Sequence, residues 1–281
     1  MKKIALIVFQ FLIFSSALAD YKIPLDNGAD LTKQSQQTID KYRLVAHRGG
    51  IVEDLFDEYD PRSIDAAIDS GYWMLEIDVQ PTADRDLIVH HDDNLERIYG
   101  IDKSVSELTV KQLKKLRAKN GGYAPLTFEE VAKRCKNKIR IMLDLKIENP
   151  PPWFYQKLND ILLAHDLLDG SFFINHGIKP YFKAGKFGFR MSEIHDMQKR
   201  SEQGEEVATN YYLFDHGNRI NAETARWCQK NNIEICASVN VGHYQLENDL
   251  MGAKRDIEYL KKCDVTIFQI DSQYDAFFQN N

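Results

Sequence analysis

The chain has 281 residues, 43% hydrophobic and 28% charged, which suits one sizeable globular domain with a full core. Its formal net charge of −6 at pH 7 argues against a nucleic-acid or anionic-membrane partner. No apolar run reaches the roughly 20 residues that a membrane span needs.

Residues 1–19 stand apart. Lys2 and Lys3 precede an apolar run from Ile4 to Phe14, and Ala17-Leu18-Ala19 has the small-x-small form of a cleavage site. This segment is expected to be a secretory signal peptide, with the exported chain starting at Asp20 in the periplasm or outside the cell. No Cys near the cleavage site would carry a lipid. Losing two lysines and no acid takes the formal charge from −6 to −8. Asp20 to Asp40 reads as a polar N-terminal arm, and residues 20–281 as one domain without repeat or linker.

Arg43 to Ala46 is predicted as a short strand that delivers His47-Arg48-Gly49-Gly50 at its C-terminal end. The paired glycines permit backbone conformations closed to other residues and let a ligand approach closely. After an acidic, aromatic loop from Ile51 to Asp60, Pro61 and Ser63 open a helix with Ile64, Ala67 and Ile68 at helical spacing. Gly71 ends it.

The stretch Met74 to Asp92 is the centre of the chain. Side chains alternate faces along a strand, so Glu76 and Asp78 project one way while Leu75, Ile77 and Val79 project the other. Burying two like charges on one face is costly unless a cation or strong donors compensate. The link to the next β-rich run, Leu87 to Val89, is too short for a parallel crossover. It implies an antiparallel hairpin that brings His91 back towards the carboxylates while His90 faces away.

Ser106 to Leu116 reads as a helix, and Thr127 and Glu130 have capping-box spacing at the head of the next. Ile139 to Lys146 is a strand with Asp144 and Lys146 on one face; Trp153 to Ala164 is an amphipathic helix. Further strands are expected at Phe172 to Ile174, Phe187 to Met191, Tyr211 to Phe214, Ile233 to Val239 and Val265 to Ile270. Ala222 to Lys230 and Ala253 to Lys262 are the clearest later helices. Cys135, Cys228, Cys236 and Cys263 are compatible with disulfides in an oxidising compartment but lack the CxxC spacing of a zinc site.

Leaving out the hairpin return, eight strands alternate with helices, which points to an α/β fold: a (β/α)8 TIM-type barrel with a β-hairpin after the second strand. Chemistry in such barrels sits at the C-terminal strand ends. His47, Glu76, Asp78, Asp144 and Lys146 fall at such ends on three different strands. Glu76, Asp78 and Asp144 form a hard oxygen set suited to one Mg2+ or Ca2+. That ion, with Lys146 and Arg48, would hold a phosphate, and His47 and His91 offer a general acid and base. Taken singly, each residue also has a structural reading; their convergence carries the argument. His176, His216, Asn240 and Asp271 also follow strands and are further candidates for the mouth.

With these motifs in order, the sequence resembles the glycerophosphodiester phosphodiesterase family. The pattern runs His47-Arg48-Gly49, then Gly71 and Leu75-Glu76-Ile77-Asp78-Val79, then Val89-His90-His91-Asp92 with Leu95 and Arg97, then Leu143-Asp144-Leu145-Lys146. The resemblance implies metal-dependent hydrolysis of a small-molecule phosphodiester to glycerol 3-phosphate and an alcohol. It assigns His47 and His91 to acid/base roles, Glu76, Asp78 and Asp144 to the metal, and Arg48 and Lys146 to the phosphate. Two positions depart from the pattern. Pro61-Arg62-Ser63 stands where the family commonly has Glu-Asn-Thr, with Glu53 or Glu58 as substitutes, and Asp144 is shorter than the usual Glu. Two alternatives are a phospholipase D-like enzyme acting on lysophospholipid or sphingolipid head groups and an exported non-catalytic binding barrel. The first predicts an exposed apolar rim, with Phe277, Phe278 or the aromatics around Trp153 to Tyr155 as candidates.

Overall fold

The computed structural model describes residues 41–50, 57–245 and 249–278. The expected signal peptide, the N-terminal arm and Glu53 lie outside these residues. The strands are β1 (Arg43–Ala46), β2 (Met74–Pro81), β3 (Leu87–Val89), β4 (Arg140–Leu145), β5 (Phe172–Phe173), β6 (Lys186–Phe189), β7 (Tyr211–His216), β8 (Ile235–Val239) and β9 (Ile267–Ile270). All but β3 are parallel and close a ring in the order β1-β2-β4-β5-β6-β7-β8-β9, with β1 bonded to both β2 and β9. β3 hangs antiparallel on β2 outside the ring, with Val79 opposite Val89. This is the expected TIM-type barrel and hairpin.

Helices fill the crossovers: α1 (Pro61–Asp69), α2 (Phe128–Cys135), α3 (Pro152–Ala164), α4 (Ile194–Glu202), α5 (Ala222–Lys230) and α6 (Asp249–Lys262). α1 starts where the Asp60 side chain accepts the Arg62 N–H and Pro61 fills the first turn. α2 starts at the expected box, in which Thr127 Oγ1 accepts the Glu130 N–H and Glu130 Oε2 accepts the Thr127 N–H.

Alternation along β2 divides the core in two. Leu75, Ile77 and Val79 point outward into the layer between sheet and helices. Met74 points inward and joins Val45, Met142, Phe172, Tyr212, Cys236 and Ile267 in a separate apolar plug that fills the lower barrel. Burying each side chain of that size contributes about 1.5–3 kcal/mol. Glu76 and Asp78 follow Met74 on the same inward face, so they are stacked on this plug and both are buried.

Two expectations need correction. Ser106 to Leu116 is not one helix: a 3-10 turn at Val105–Glu107 and a short helix at Val110–Leu113 are separated by extended Leu108, because Thr109 starts a capping box of its own with Gln112. The last helix begins at Asp249, before Ala253. All four cysteines are free thiols; burial raises those of Cys135 and Cys228 to about 12.

Candidate functional site

A cavity of about 630 Å³ opens at the C-terminal ends of the strands, and it is lined by His47, Arg48, Glu76, Asp78, His91, Asp144 and Lys146 together. Parallel pairing of β2 with β4 sets Asp78 opposite Asp144. Oxygens of Glu76, Asp78 and Asp144 all lie within 4.8 Å of one another. Burial first, and then repulsion by Asp78 and Asp144, pushes the Glu76 carboxyl well above its usual range. Burial also raises Asp78, against the pull of Lys146. The Lys146 ammonium stands 3.1 Å from Asp78 Oδ1 and 2.7 Å from Asp144 Oδ2. Two crowded, buried carboxylates with a third at their rim suit a hard divalent cation, which relieves the repulsion that burial magnifies.

The His-Arg-Gly-Gly turn shapes this cluster from one side. Arg48 adopts a left-handed conformation (φ 52°) and its N–H donates to Glu76 Oε2 at 2.8 Å. Gly49 has φ 78°, and a Cβ there would overlap the ring of Tyr59. Tyr59 in turn accepts the Asp78 N–H at 3.0 Å and donates its hydroxyl to Asp78 Oδ2. Burial and the neighbouring acids hold that phenol far above its usual value, so it stays a donor. Gly49 is therefore small so that Tyr59 can brace a carboxylate. Gly49→Ala is expected to lower unfolding stability by about 3 kcal/mol, strain and overlap together. Gly71→Ala, at φ 75° but with open space around it, should cost only about 1–2 kcal/mol. Equal losses in denaturant titrations would remove Tyr59 from the explanation.

The hairpin delivers His91 as expected, with the His90 N–H bonded to the Asp78 carbonyl at 3.1 Å. His91 then closes a loop of polar contacts. Its Nδ1 meets Asp92 Oδ1 at 2.9 Å, Asp92 Oδ2 accepts from Arg97 Nε at 2.6 Å, and Arg97 Nη2 donates to Glu58 Oε1 at 2.5 Å. Glu58 Oε2 accepts from Arg48 Nη1 at 3.1 Å, and Arg48 Nη2 returns to His91 Nε2 at 2.9 Å. An arginine can only donate, so this network fixes His91 as the Nδ1–H tautomer with its Nε2 lone pair towards Arg48. Glu58, one of the two acids named as substitutes for the missing motif acid, lines the cavity but is spanned by two arginines.

At the head of the same turn, His47 Nδ1 lies 2.7 Å from Asp271 Oδ1, and Asp271 Oδ2 accepts the Val241 N–H at 2.6 Å. Burial alone would raise the Asp271 carboxyl, yet the contact with His47 and the Val241 N–H hold it below its usual range. Of the further mouth candidates, His216, Asn240 and Asp271 line the cavity; His176 does not, and pairs with Glu193 at 3.3 Å. His90 is buried with Nε2 on the Asn94 carbonyl, a structural role. The aromatics named for an apolar rim do not form one. Phe154, Tyr155 and Phe278 are buried, and Trp153 and Phe277 pack against the core. Sequence reasoning missed Tyr59, Arg190 and His243. Tyr59 lies in an irregular loop, and Arg190 and His243 follow strands without any motif around them.

The family model for the glycerophosphoryl diester phosphodiesterase family matches residues 47–235. A Bacillus subtilis (strain 168) protein, YhdW, named as a glycerophosphodiester phosphodiesterase, is 34% identical over 110 residues, 37% of this chain and 44% of that one. Human lysophospholipase D GDPD1 is 33% identical over 81 residues, 29% of this chain and 24% of that one. The matched stretch thus spans less than half the length of either curated relative. An Oleispira antarctica phosphodiesterase, solved in complex with the product sn-glycerol-3-phosphate, superposes with a TM-score of 0.64 at 17% identity, covering 85% of this chain and 98% of that one. At that identity the likeness is one of fold.

Proposed function

Because this chain belongs to the glycerophosphoryl diester phosphodiesterase family, we propose that it hydrolyses glycerophosphodiesters to glycerol 3-phosphate and an alcohol, with one Mg2+ or Ca2+ held by Glu76, Asp78 and Asp144. The observation that carries this reading is the meeting, in one cavity, of three clustered acids with two imidazoles, His47 and His91. A bound cation supplies Lewis-acid stabilisation of charge on the phosphate oxygens. Lys146 and Arg48 add positive charge where that phosphate sits. One imidazole takes the proton of the attacking hydroxyl and the other returns a proton to the leaving alkoxide. Asp271 keeps His47 turned so that Nε2, the nitrogen not bonded to it, is the one offered to substrate. Arg48 exchanges its bond to His91 for the phosphate and so frees the Nε2 lone pair.

The test is a panel of glycerophosphodiesters assayed after chelation and again after Mg2+ or Ca2+ is restored. The protein would be recovered from the periplasm or medium, where the reading of residues 1–19 places it with Asp20 first. Turnover that disappears with chelator and returns with one of the ions supports the reading. Unchanged turnover in excess chelator defeats the metal assignment, and no turnover with either ion defeats the activity. Head-group release from lysophospholipids is a second reading, favoured by the human relative's name. It requires faster turnover of a micellar lysolipid than of soluble glycerophosphocholine.

A further inference from the structure

The cavity has two walls of different character. β6 is the fifth strand of the ring counted from β1, so Arg190, which follows β6, stands across the mouth from His47. The carboxylates lining the cavity, Glu58, Glu76, Asp78, Asp144 and Asp271, all belong to the side built on β1, β2, β4 and β9. Among the described residues the far wall offers Arg190, Phe214, His216, Ser238, Asn240 and His243, and no acid.

Arg190 is held in place without being neutralised. Its guanidinium lies over the Phe214 ring, 4.7 Å from the centroid, and Nη1 donates to the Phe214 carbonyl at 3.2 Å. It forms no ion pair among the described residues. The acids around it are engaged by other groups. Asp215 accepts the N–H groups of Met191 and His216 at 2.9 and 2.8 Å. Glu193 accepts the backbone N–H of Arg190 at 2.8 Å and pairs with His176. Beside it His216 and His243 stack with ring centroids 3.7 Å apart. Burial and then nearby positive charge hold both below the usual imidazole value, His243 at about 4, so the stack is neutral at pH 7. The charge on this wall is that of Arg190.

Resting on the phosphodiesterase reading above, we propose that this wall receives the part of the substrate beyond the scissile phosphate, and that Arg190 selects an alcohol bearing an anionic group over one bearing a quaternary ammonium. A quaternary ammonium is recognised by open aromatic faces or by carboxylates. Here the Phe214 face is covered by a cation and, among the described residues, the wall has no carboxylate.

Three diesters of glycerol 3-phosphate that differ in one charge make the test: those with glycolate, glycerol and choline. The wild-type kcat/KM should fall in that order, with about tenfold between glycolate and choline, as expected for a partly screened charge contact. Arg190→Glu should reverse the order and Arg190→Lys should keep it. For the wild type, raising ionic strength should shrink the ratio, a check that needs no variant to fold. A wild type that prefers choline, a ratio indifferent to salt, or a folded Arg190→Glu with the same order overturns the selection by Arg190. Failure to turn over any of the three diesters is the different result that overturns the phosphodiesterase reading itself.

Discussion

Replacing His47 by alanine is expected to lower kcat on a glycerophosphodiester by about 10³-fold, within the range that one general acid or base contributes. The fold should survive, because His47 sits at the end of β1 on the cavity rim rather than in either apolar cluster. Asp271→Asn should fall between, with kcat down about 30-fold and KM little changed. An amide at that position still accepts one hydrogen bond but no longer carries the charge that orients the ring, a loss of the size usual for such supporting groups. The two variants together separate chemistry from packing. A merely structural Asp271 would change stability and leave kcat of the folded protein untouched, and a His47→Ala protein with near-normal turnover would refute the acid/base assignment.

Neutralising Glu76 should have effects of opposite sign on stability and on activity. In the ion-free protein Glu76 is buried against Asp78 and Asp144, and its charge is disfavoured there. Glu76→Gln removes that repulsion and is expected to raise the melting temperature of the ion-free protein. The same change takes away a ligand of the proposed ion. The wild type at an ion concentration 100-fold above Kd should gain about 2.7 kcal/mol. The variant should gain little, and its turnover should drop by at least about 10³-fold, consistent with losing much of the charge stabilisation at the phosphate. Thermal unfolding with and without Mg2+ or Ca2+ reads the binding apart from catalysis. A variant that keeps the full ion-dependent shift, or an ion-free variant less stable than the wild type, would count against the three-acid site.

Legibility of the site followed how local each determinant is. Glu76 and Asp78 were readable because strand parity is a property of adjacent residues. The same parity along β4 puts Asp144 on their level, and the short link from β2 to β3 admits only a return towards Asp78. The phosphate roles of Arg48 and Lys146 follow from their charge at strand ends beside the acids, and the resemblance implies the same roles. The helix expected at 106–116 failed for a local reason as well: apolar spacing across Leu108, Val110, Leu113 and Leu116 is helical, but a threonine able to cap a new turn interrupts it.

By itself, then, the sequence determined the barrel, the hairpin and the inward face that carries the acids, since these follow from periodicity and from link lengths of a few residues. Only the tertiary structure decided who supports them. Asp271 reaches His47 across 224 residues because β9 closes the ring against β1. Tyr59 reaches Asp78 because a glycine lets its ring through. Arg190 acquires its place opposite His47 from ring order, and among the described residues it keeps its charge free of an ion pair because Asp215 and Glu193 are engaged by other groups. Such pairings depend on the closure of the sheet and on irregular loop paths, and neither leaves a period in the chain.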